Sequence, residues 1–143
     1  MPKYSQASKD KLATVDKRLQ DLFNEVILIV DCTIVSGLRT LAEQQMLYAQ
    51  GRTMPGDIVT NCDGIIKRSN HQAEVDGQPG RAVDAVPYPI DWNDDKRMIH
   101  FAGVVRGVAA RLGIPIVWGG DWDGDFKLRD QSFHDLPHFE LGD

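Results

Sequence analysis

Long hydrophobic runs are missing from this sequence. Its 143 residues are 42% hydrophobic and 26% charged, and no apolar stretch approaches the roughly 18 residues that cross a bilayer. We therefore expect no membrane anchor. Residues 1–12 also carry no apolar stretch after their lysines, so they do not resemble a secretory signal. We expect the protein to stay in the cytoplasm unless another factor releases it.

Basic blocks and paired cysteines are missing as well. The formal net charge is −5, and the 16 Lys and Arg residues form no cluster, which argues against a nucleic-acid partner. Cys32 and Cys62 lie far apart in the sequence, so we expect buried free thiols rather than a disulfide framework or a zinc knuckle. A chain of this length has room for one domain with one core.

Three segments show helical periodicity. Residues 8–26 place apolar side chains at steps of three and four, with Ser8 as a possible N-cap, and predict one amphipathic helix. A shorter helix is predicted over 41–50, ended by Gly51. A second long amphipathic helix is predicted over 94–112.

Short apolar and β-branched segments predict the strands. Residues 51–79 are rich in glycine and have few periodic apolar positions, so they predict a loop. Helices and strands mix without a regular βαβ alternation, which predicts an α+β fold with a small, mainly antiparallel sheet and flanking helices. The predicted strands are 27–35, 81–86, 114–118 and 138–141.

The histidines and their neighbouring acids supply candidate metal ligands. A catalytic zinc site takes three protein ligands and leaves a fourth position open. His71, Asp84 and His138 come from separate segments and could converge on one ion, with Asp135 close to the open position as a general base. Spacing alone leaves a salt-bridged surface cluster as an alternative. His100 falls inside a predicted helix and is interpreted as a structural or surface residue.

Five segments, taken in order, resemble the zinc peptidases of bacterial cell walls. This family includes phage L-alanyl-D-glutamate endolysins and D-alanyl-D-alanine carboxypeptidases of the vancomycin-resistance type, and the resemblance covers residues 36–141. It implies a Hedgehog or D,D-peptidase-like fold, a Zn²⁺ cofactor and a peptidoglycan stem peptide as substrate. The segments are SGLRTLAEQQMLYAQGRT (36–53), PGDIVTN (55–61), SNH with GRAVD (69–84), WGGDW (118–122) and FHDLPHFEL (133–141).

The resemblance also implies roles for individual residues. The family pattern of a histidine and an aspartate ligand is matched by His71 and Asp84, and the last ligand and base by His138 and Asp135. The interval from His71 to Asp84 is thirteen positions, where the family has seven. A polar insertion of six residues adds little closure entropy, so the ligands can still meet. Glu74 or Asp76 remains an alternative to Asp84.

Arg39 corresponds to a family arginine that stabilises the charge developing on the scissile carbonyl or holds a substrate carboxylate. The alternative is an ion pair with Glu43, four residues on. Ser69 is expected to support the site through hydrogen bonding. Glu140 lies two positions after His138, so it is either a partner that orients this ligand or an exposed acid. His134 could compete as a ligand, but the resemblance does not require it.

Residues 121–125 (DWDGD) also suggest a calcium site. Their three aspartates are spaced like the first three ligands of an EF-hand loop. Phe126 stands where that loop needs glycine and Ser132 where it needs glutamate, so a solvated acidic turn is the alternative. Trp118 and Trp122 could line a substrate cleft or pack in the core.

The segments YAQGRT and PHFEL are most similar to the phage endopeptidases. The resemblance therefore implies an enzyme that cuts the L-alanyl-D-glutamate bond after release through a holin-type pore. A D,D-carboxypeptidase is the alternative with the same metal chemistry, and a zinc-bearing module that binds wall peptides without cutting them is the alternative of another class. We expect a single peptidase domain over 1–143, without a separate wall-binding domain, that acts as a monomer.

Overall fold

The computed structural model describes residues 1–73, 75, 77–131 and 133–143. Helices flank a four-stranded antiparallel sheet, which confirms the predicted α+β class. The helices are α1 (Gln6–Leu12), α2 (Lys17–Val26), α3 (Leu41–Ala49) and α4 (Asp95–Leu112). The strands are β1 (Cys32–Ser36), β2 (Ala82–Pro87), β3 (Ile116–Trp118) and β4 (His138–Leu141).

The sheet has the strand order β1-β2-β4-β3, so β2 and β4 lie at its centre. Their register pairs Asp84 directly with His138. Residues opposite each other on antiparallel strands bring their side chains together on the same face. Two residues 54 positions apart in the sequence therefore become neighbours through backbone pairing.

The faces of the sheet have different roles. Phe139 on β4 is fully buried and contacts Phe23 of α2 and Phe101 of α4 edge-on, with ring centroids 5.7 and 6.1 Å apart. Because side chains alternate along a strand, His138 and Glu140 lie on the face opposite Phe139. The apolar face packs on the helices, and the other face carries the polar groups.

The prediction of one helix over 8–26 is wrong, because the chain forms α1 and α2 with a break between them. Asp16 caps α2 by accepting a hydrogen bond from the N–H of Arg18, and its own N–H donates to the carbonyl of Gly80. These bonds replace helical ones at the break. Ser5 caps α1, whereas Ser8 is buried and its Oγ accepts from the N–H of Ile34.

The strand predicted over 27–35 is only partly present. Residues 27–30 continue the hydrogen bonding of the α2 terminus, and the strand begins at Cys32. Leu28 and Ile29 are exposed, so the apolar run does not mark a buried strand there. The other predicted elements agree with the structure to within about two residues, the usual uncertainty of element ends.

Both cysteines are free, as expected, but they differ in burial. Cys32 is a buried free thiol, and Cys62 is free and half-buried. No helix of the described residues is long and apolar enough to cross a bilayer.

Candidate metal centre

Three side chains from three segments meet on the polar face of the sheet. Nε2 of His71 lies 3.2 Å from Oδ1 of Asp84 and 3.2 Å from Nδ1 of His138. Nδ1 of His138 lies 3.4 Å from Oδ1 of Asp84. The facing atoms of the three residues therefore form a nearly equilateral triangle.

This triangle has the size of one face of a zinc tetrahedron. Zn–N and Zn–O bonds of about 2.0–2.1 Å place the corners of a tetrahedron about 3.3 Å apart. The observed separations are 3.2, 3.2 and 3.4 Å. Two imidazole nitrogens and one carboxylate oxygen are also a donor set that suits a divalent transition metal. The three residues can therefore hold a metal ion and leave a fourth corner open.

The far side of each candidate ligand is fixed by a hydrogen bond. Nδ1 of His71 lies 2.9 Å from the carbonyl of Gly37, and Nε2 of His138 lies 2.9 Å from Oε1 of Glu140. Oδ2 of Asp84 accepts from the guanidinium of Arg39 at 3.1 Å. Such partners orient metal ligands and set the tautomer of each imidazole.

The contacts within the cluster favour a negative charge on Asp84 and a positive charge on His138. Burial alone would raise the pKa of Asp84, but its hydrogen bonds with His138 and His71 hold that pKa far below its usual value. Burial favours the neutral imidazole of His138, yet its hydrogen bonds with Asp84 and Glu140 raise its pKa to about 9. Without a metal ion, a proton on His138 compensates the Asp84 carboxylate.

Asp135 lies beside the triangle on the loop that leads into β4. Its Oδ2 is 3.9 Å from Nδ1 of His138, and its side chain is 32% exposed. Burial and the nearby Asp84 carboxylate raise the pKa of Asp135, while His138 and the other local cations oppose that rise. A carboxylate with a raised pKa, next to an open metal position, is suited to exchange protons with a water molecule.

A cleft of about 560 Å³ opens over the triangle. Arg39 and Asp135 line it beside the three candidate ligands, and Trp122 and Phe133 form an aromatic wall, with rings stacked 6.4 Å apart. Trp118, by contrast, is only 2% exposed and packs in the core. Of the two roles that the sequence left open, Trp122 therefore lines the cleft and Trp118 packs in the core.

Comparison with known proteins assigns this chain to a family. The model of the family "Phage L-alanyl-D-glutamate peptidase" matches residues 1–142. The chain belongs to the phage L-alanyl-D-glutamate peptidase family. The resemblance inferred from the sequence motifs is thereby confirmed.

Two named proteins are similar in sequence to this phage peptidase family member. The L-alanyl-D-glutamate peptidase of Escherichia phage T5 is 29% identical over 147 residues, with 97% of both chains covered. The peptidoglycan L-alanyl-D-glutamate endopeptidase CwlK of Bacillus subtilis (strain 168) is 30% identical over 112 residues. That match covers 78% of this chain and 61% of CwlK, so the chain spans less than two thirds of that relative.

Two solved structures of other proteins have the same fold as this phage peptidase family member. The crystal structure of the L-Ala D-Glu endopeptidase ChiX of Serratia marcescens superposes with a TM-score of 0.67 and 26% identity, covering 97% of this chain and 90% of ChiX. The vancomycin-resistance D,D-dipeptidase VanXYg gives a TM-score of 0.54 at 20% identity, covering 87% and 47%. The D,D-peptidase-like fold expected from the sequence is confirmed.

The residues expected to support the site lie next to the candidate ligands. Ser69 Oγ accepts from the N–H of His71 at 3.2 Å. Glu140 is half-buried and bridges His138 to Asn70, so it is not the exposed acid of the alternative interpretation. His134 is exposed and lies outside the triangle.

The other residues for which the sequence offered a role or an alternative are Glu43, His100, Glu74 and Asp76. Glu43 forms a capping box with Thr40 at the start of α3 rather than an ion pair with Arg39. His100 is an exposed residue of α4. Glu74 and Asp76, the alternatives to Asp84, lie outside the described residues.

Gln44 lies beside the site, and the sequence motifs did not single it out. Gln44 is completely buried on α3. Its Oε1 accepts from the Arg39 guanidinium at 3.3 Å, and its Nε2 donates to the Cys62 carbonyl at 2.9 Å and to Thr60 Oγ1 at 3.3 Å. A polar residue on the inner face of a short helix beside an arginine motif was the available signal. Gln44 joins Arg39 to the loop that forms one wall of the cleft.

Proposed function

We propose that the chain is a zinc-dependent peptidase that hydrolyses the L-alanyl-D-glutamate bond of peptidoglycan stem peptides. Membership of the phage L-alanyl-D-glutamate peptidase family supports the reaction and the substrate. The observation that carries the proposal is the triangle of His71, Asp84 and His138, which has the size of a zinc tetrahedron's face and lies beside Asp135.

His71, Asp84 and His138 would hold the zinc ion through two nitrogens and one oxygen. Bound zinc polarises a carbonyl and lowers the pKa of water from 15.7 to about 7. Hydrogen bonds accepted by the Gly37 carbonyl and the Glu140 carboxylate, and one donated by Arg39, hold the three ligands in place.

Asp135 acts as the general base and then as the general acid. It takes a proton from the attacking water and gives that proton to the leaving amine nitrogen. Burial and the Asp84 carboxylate raise its pKa and so make it a better proton acceptor. Its Oδ2 lies 3.9 Å from Nδ1 of His138, beside the triangle, which supports this role.

Arg39 stabilises negative charge on the substrate. Its guanidinium has five N–H donors, and bonds to Asp84 and Gln44 orient it at the edge of the cleft. The remaining donors can face the oxyanion of the scissile carbonyl or a substrate carboxylate. Ser69 supports this chemistry indirectly, by fixing the backbone of His71.

The proposal extends to the setting in which the reaction occurs. Residues 1–143 form one peptidase domain that acts on stem peptides as a monomer. The protein stays in the cytoplasm until a holin-type pore releases it to the wall. The phage origin of the relative from Escherichia phage T5 supports this setting.

The test is digestion of purified peptidoglycan by the zinc-loaded protein, with mass spectrometry of the products. We expect new C-terminal L-alanine and new N-terminal D-glutamate, activity lost on chelation, and activity restored by zinc. Release of free D-alanine would instead indicate a D,D-carboxypeptidase. Zinc binding with no fall in the turbidity of a wall suspension would indicate a non-catalytic binding module.

A further inference from the structure

A peptide with an L-alanyl-D-glutamate bond carries a negative charge close to that bond. The amine of the glutamyl residue is part of the bond, and only one of its two carboxyl groups can continue the peptide chain. The other carboxyl group stays free. It is ionised at neutral pH, because the ordinary pKa of such a group is about 4. An enzyme that cuts this bond therefore gains from a cation on the glutamyl side of the cleft.

Three cationic side chains line the cleft, those of Arg39, Lys67 and Arg68. The Arg39 guanidinium is already engaged, since it donates to Oδ2 of Asp84 at 3.1 Å and to Oε1 of Gln44 at 3.3 Å. Its side chain is only 17% exposed. Arg39 therefore offsets the Asp84 carboxylate beside the triangle, and a second negative charge on the substrate needs another partner.

Lys67 and Arg68 have capacity for such a charge. Both are exposed, and in the described part of the chain neither forms an ion pair with an acid. Arg68 donates one N–H to the carbonyl of Ala73 at 2.7 Å, which leaves its other guanidinium N–H groups available. Exposed cations are ordinary on a protein surface, so their presence alone is insufficient.

The turn that carries the two cations is held by its own hydrogen bonds. Oδ1 of Asp63 accepts from the N–H of Ile65 at 2.9 Å and from that of Lys67 at 3.0 Å. The N–H of Gly64 donates to the carbonyl of Lys67 at 3.1 Å. Gly64 has a φ of 91°, a left-handed conformation that favours glycine. The backbone before Arg68 is therefore ordered before any substrate binds, which lowers the entropy cost of binding.

Gln72 ties this turn to the candidate ligand His71. Gln72 is only 3% exposed. Its Nε2 donates to the carbonyl of Gly64 at 3.1 Å, and its Oε1 accepts from the N–H of Ser69 at 2.9 Å. Both ends of the segment 64–69 are thus bound to the residue next to His71. The two cations therefore have a fixed position relative to the triangle, as a binding subsite requires.

The two walls of the cleft differ in chemistry. Lys67 and Arg68 belong to the segment before β2, whereas Trp122 and Phe133 belong to the loop before β4. The Trp122 ring centroid is 5.5 Å from that of His138. The cationic wall suits the charged glutamyl half of the substrate, and the aromatic wall suits the uncharged alanyl half. This difference gives a bound peptide one direction across the triangle.

We propose, on the basis of the proposed function, that Lys67 and Arg68 bind the free carboxylate of the glutamyl residue. Arg68 supplies N–H donors from a planar fork, and Lys67 supplies a point charge. This carboxylate subsite rejects stem peptides in which the same carboxyl group is amidated, because a carboxamide is uncharged and its NH₂ group meets other donors. Arg39 is then left for the oxyanion of the scissile carbonyl.

Binding of a matched pair of peptides to the zinc-loaded Asp135→Asn variant tests the carboxylate subsite without hydrolysis. The peptides are acetylated L-alanyl-D-glutamyl tripeptides that differ only in the free carboxyl group, which is a carboxylate in one and a carboxamide in the other. We expect calorimetry to show about tenfold tighter binding of the acid. Added salt should reduce this preference, since exposed charges are screened. Equal affinities, or no measurable binding of the acid, would overturn the proposal.

Substitutions in the same Asp135→Asn background assign the preference to the two cations. Lys67→Gln and Arg68→Gln should each weaken binding of the acid and leave the affinity for the amide unchanged. Lys67→Arg keeps the charge and should keep the preference. Lys96→Gln makes the same charge change at an exposed position of α4 outside the cleft, and it should have no effect. A preference that survives in the Lys67→Gln, Arg68→Gln double variant would remove the subsite.

Hydrolysis of the same pair by the wild-type protein separates the subsite from the proposed function. We expect a KM about tenfold lower for the acid at a similar kcat, and Lys67→Gln should raise that KM without changing kcat. If neither peptide is cleaved while the Asp135→Asn variant still prefers the acid, the proposed function fails and the subsite stands. If both peptides are cleaved with equal kcat/KM, the proposed function stands and the subsite fails.

Discussion

Gly119 and Asp135 are in backbone contact, with no space for a side chain between them. A Cβ atom at position 119 would lie 2.1 Å from the carbonyl oxygen of Asp135. The N–H of Asp135 donates to the carbonyl of Gly119, and the N–H of Gly119 donates to the carbonyl of His138, both at 2.8 Å. Gly119 thus positions the proposed base and one proposed ligand together.

The Gly119→Ala variant should therefore lose peptidase activity. The methyl group must push the Asp135 backbone away, and a shift of about 1 Å in a catalytic group can cost about 100-fold in rate. Peptidoglycan digestion measures the loss.

Gly107→Ala is the matched control, because a Cβ there meets nothing within 4 Å. Alanine is favoured over glycine inside a helix, so this control should keep its activity and gain up to about 1 kcal/mol of stability. Equal activity of the two variants would contradict the positioning role.

The Asp135→Asn variant should bind zinc as the wild type does and lose hydrolysis by about 10²–10⁴-fold, the usual contribution of a general base. Asparagine keeps the size of the side chain but cannot accept the proton. Elemental analysis and peptidoglycan digestion measure the two properties. His134→Gln is the control, since His134 is adjacent but exposed, and it should retain full activity. Full activity of Asp135→Asn would remove the assignment of the base.

The fold could be predicted from the sequence where periodicity and burial coincide. Residues of α4 bury one continuous stripe between Asp94, which caps it, and Gly113, which ends it in the left-handed conformation. The helix predicted over 8–26 failed because α1 and α2 both bury apolar residues at helical spacing. The break at Asp16 depends on a hydrogen bond with Gly80, 64 residues away. Local patterns do not contain such tertiary bonds.

The candidate site could be predicted only in part for a related reason. The segments carrying His71, Asp84 and His138 were recognisable as family motifs, and β2–β4 pairing brings two of them together. The sequence suggested Ser69 and Glu140 as supporting residues, but two other partners were not recognisable. The Gly37 carbonyl, which contacts His71, is a backbone group, and Gln44, which contacts Arg39, has the pattern of an ordinary helix residue. Hydrogen-bond partners of this kind follow from three-dimensional proximity and leave no spacing pattern.

Gln44→Met should uncouple Arg39 from the cleft wall. Methionine has a similar volume but no amide, so the Arg39 guanidinium and the Cys62 carbonyl each lose a buried partner. A lost buried hydrogen bond costs about 1–3 kcal/mol. We expect a lower melting temperature, normal zinc content and a reduced kcat. Gln45→Met is the control on the exposed neighbour. A normal kcat in Gln44→Met would show that Arg39 does not need this support.

Glu140→Ala should weaken zinc binding about 10–100-fold, the usual effect of removing the partner of a metal-bound histidine. Glu140 accepts from Nε2 of His138, which leaves Nδ1 to face Asp84 and His71. Competition with a chelating dye measures the affinity. Glu140→Gln keeps a carbonyl acceptor and should recover most of it. If the alanine variant binds zinc like the wild type, Glu140 does not orient His138.

The pKa of His138 determines how the metal-free protein responds to pH. It is raised from 6.5 to about 9, so the stabilising proton is fully present below about pH 6.5 and is lost as pH rises through 9. The pKa of Asp84 is lowered, so its contribution is lost only in acid, below its ordinary value of 3.8. Between these limits His138 carries the proton and Asp84 is ionised.

Zinc must displace that proton, so its apparent affinity should depend on pH. We expect the affinity to rise about tenfold per pH unit towards pH 9 and then to level off, because one proton leaves for each ion bound. Asp84 is already ionised and releases none. Dye competition at about pH 6, 7 and 8 measures how steeply the zinc affinity rises with pH, and calorimetry in two buffers counts the protons released.

In the Glu140→Gln variant, the zinc affinity should level off at a lower pH, since the Glu140 carboxylate is one of the groups that raise the pKa of His138. An affinity that does not change over this range would mean that His138 is neutral before zinc binds, and the charge pair with Asp84 would then be wrong.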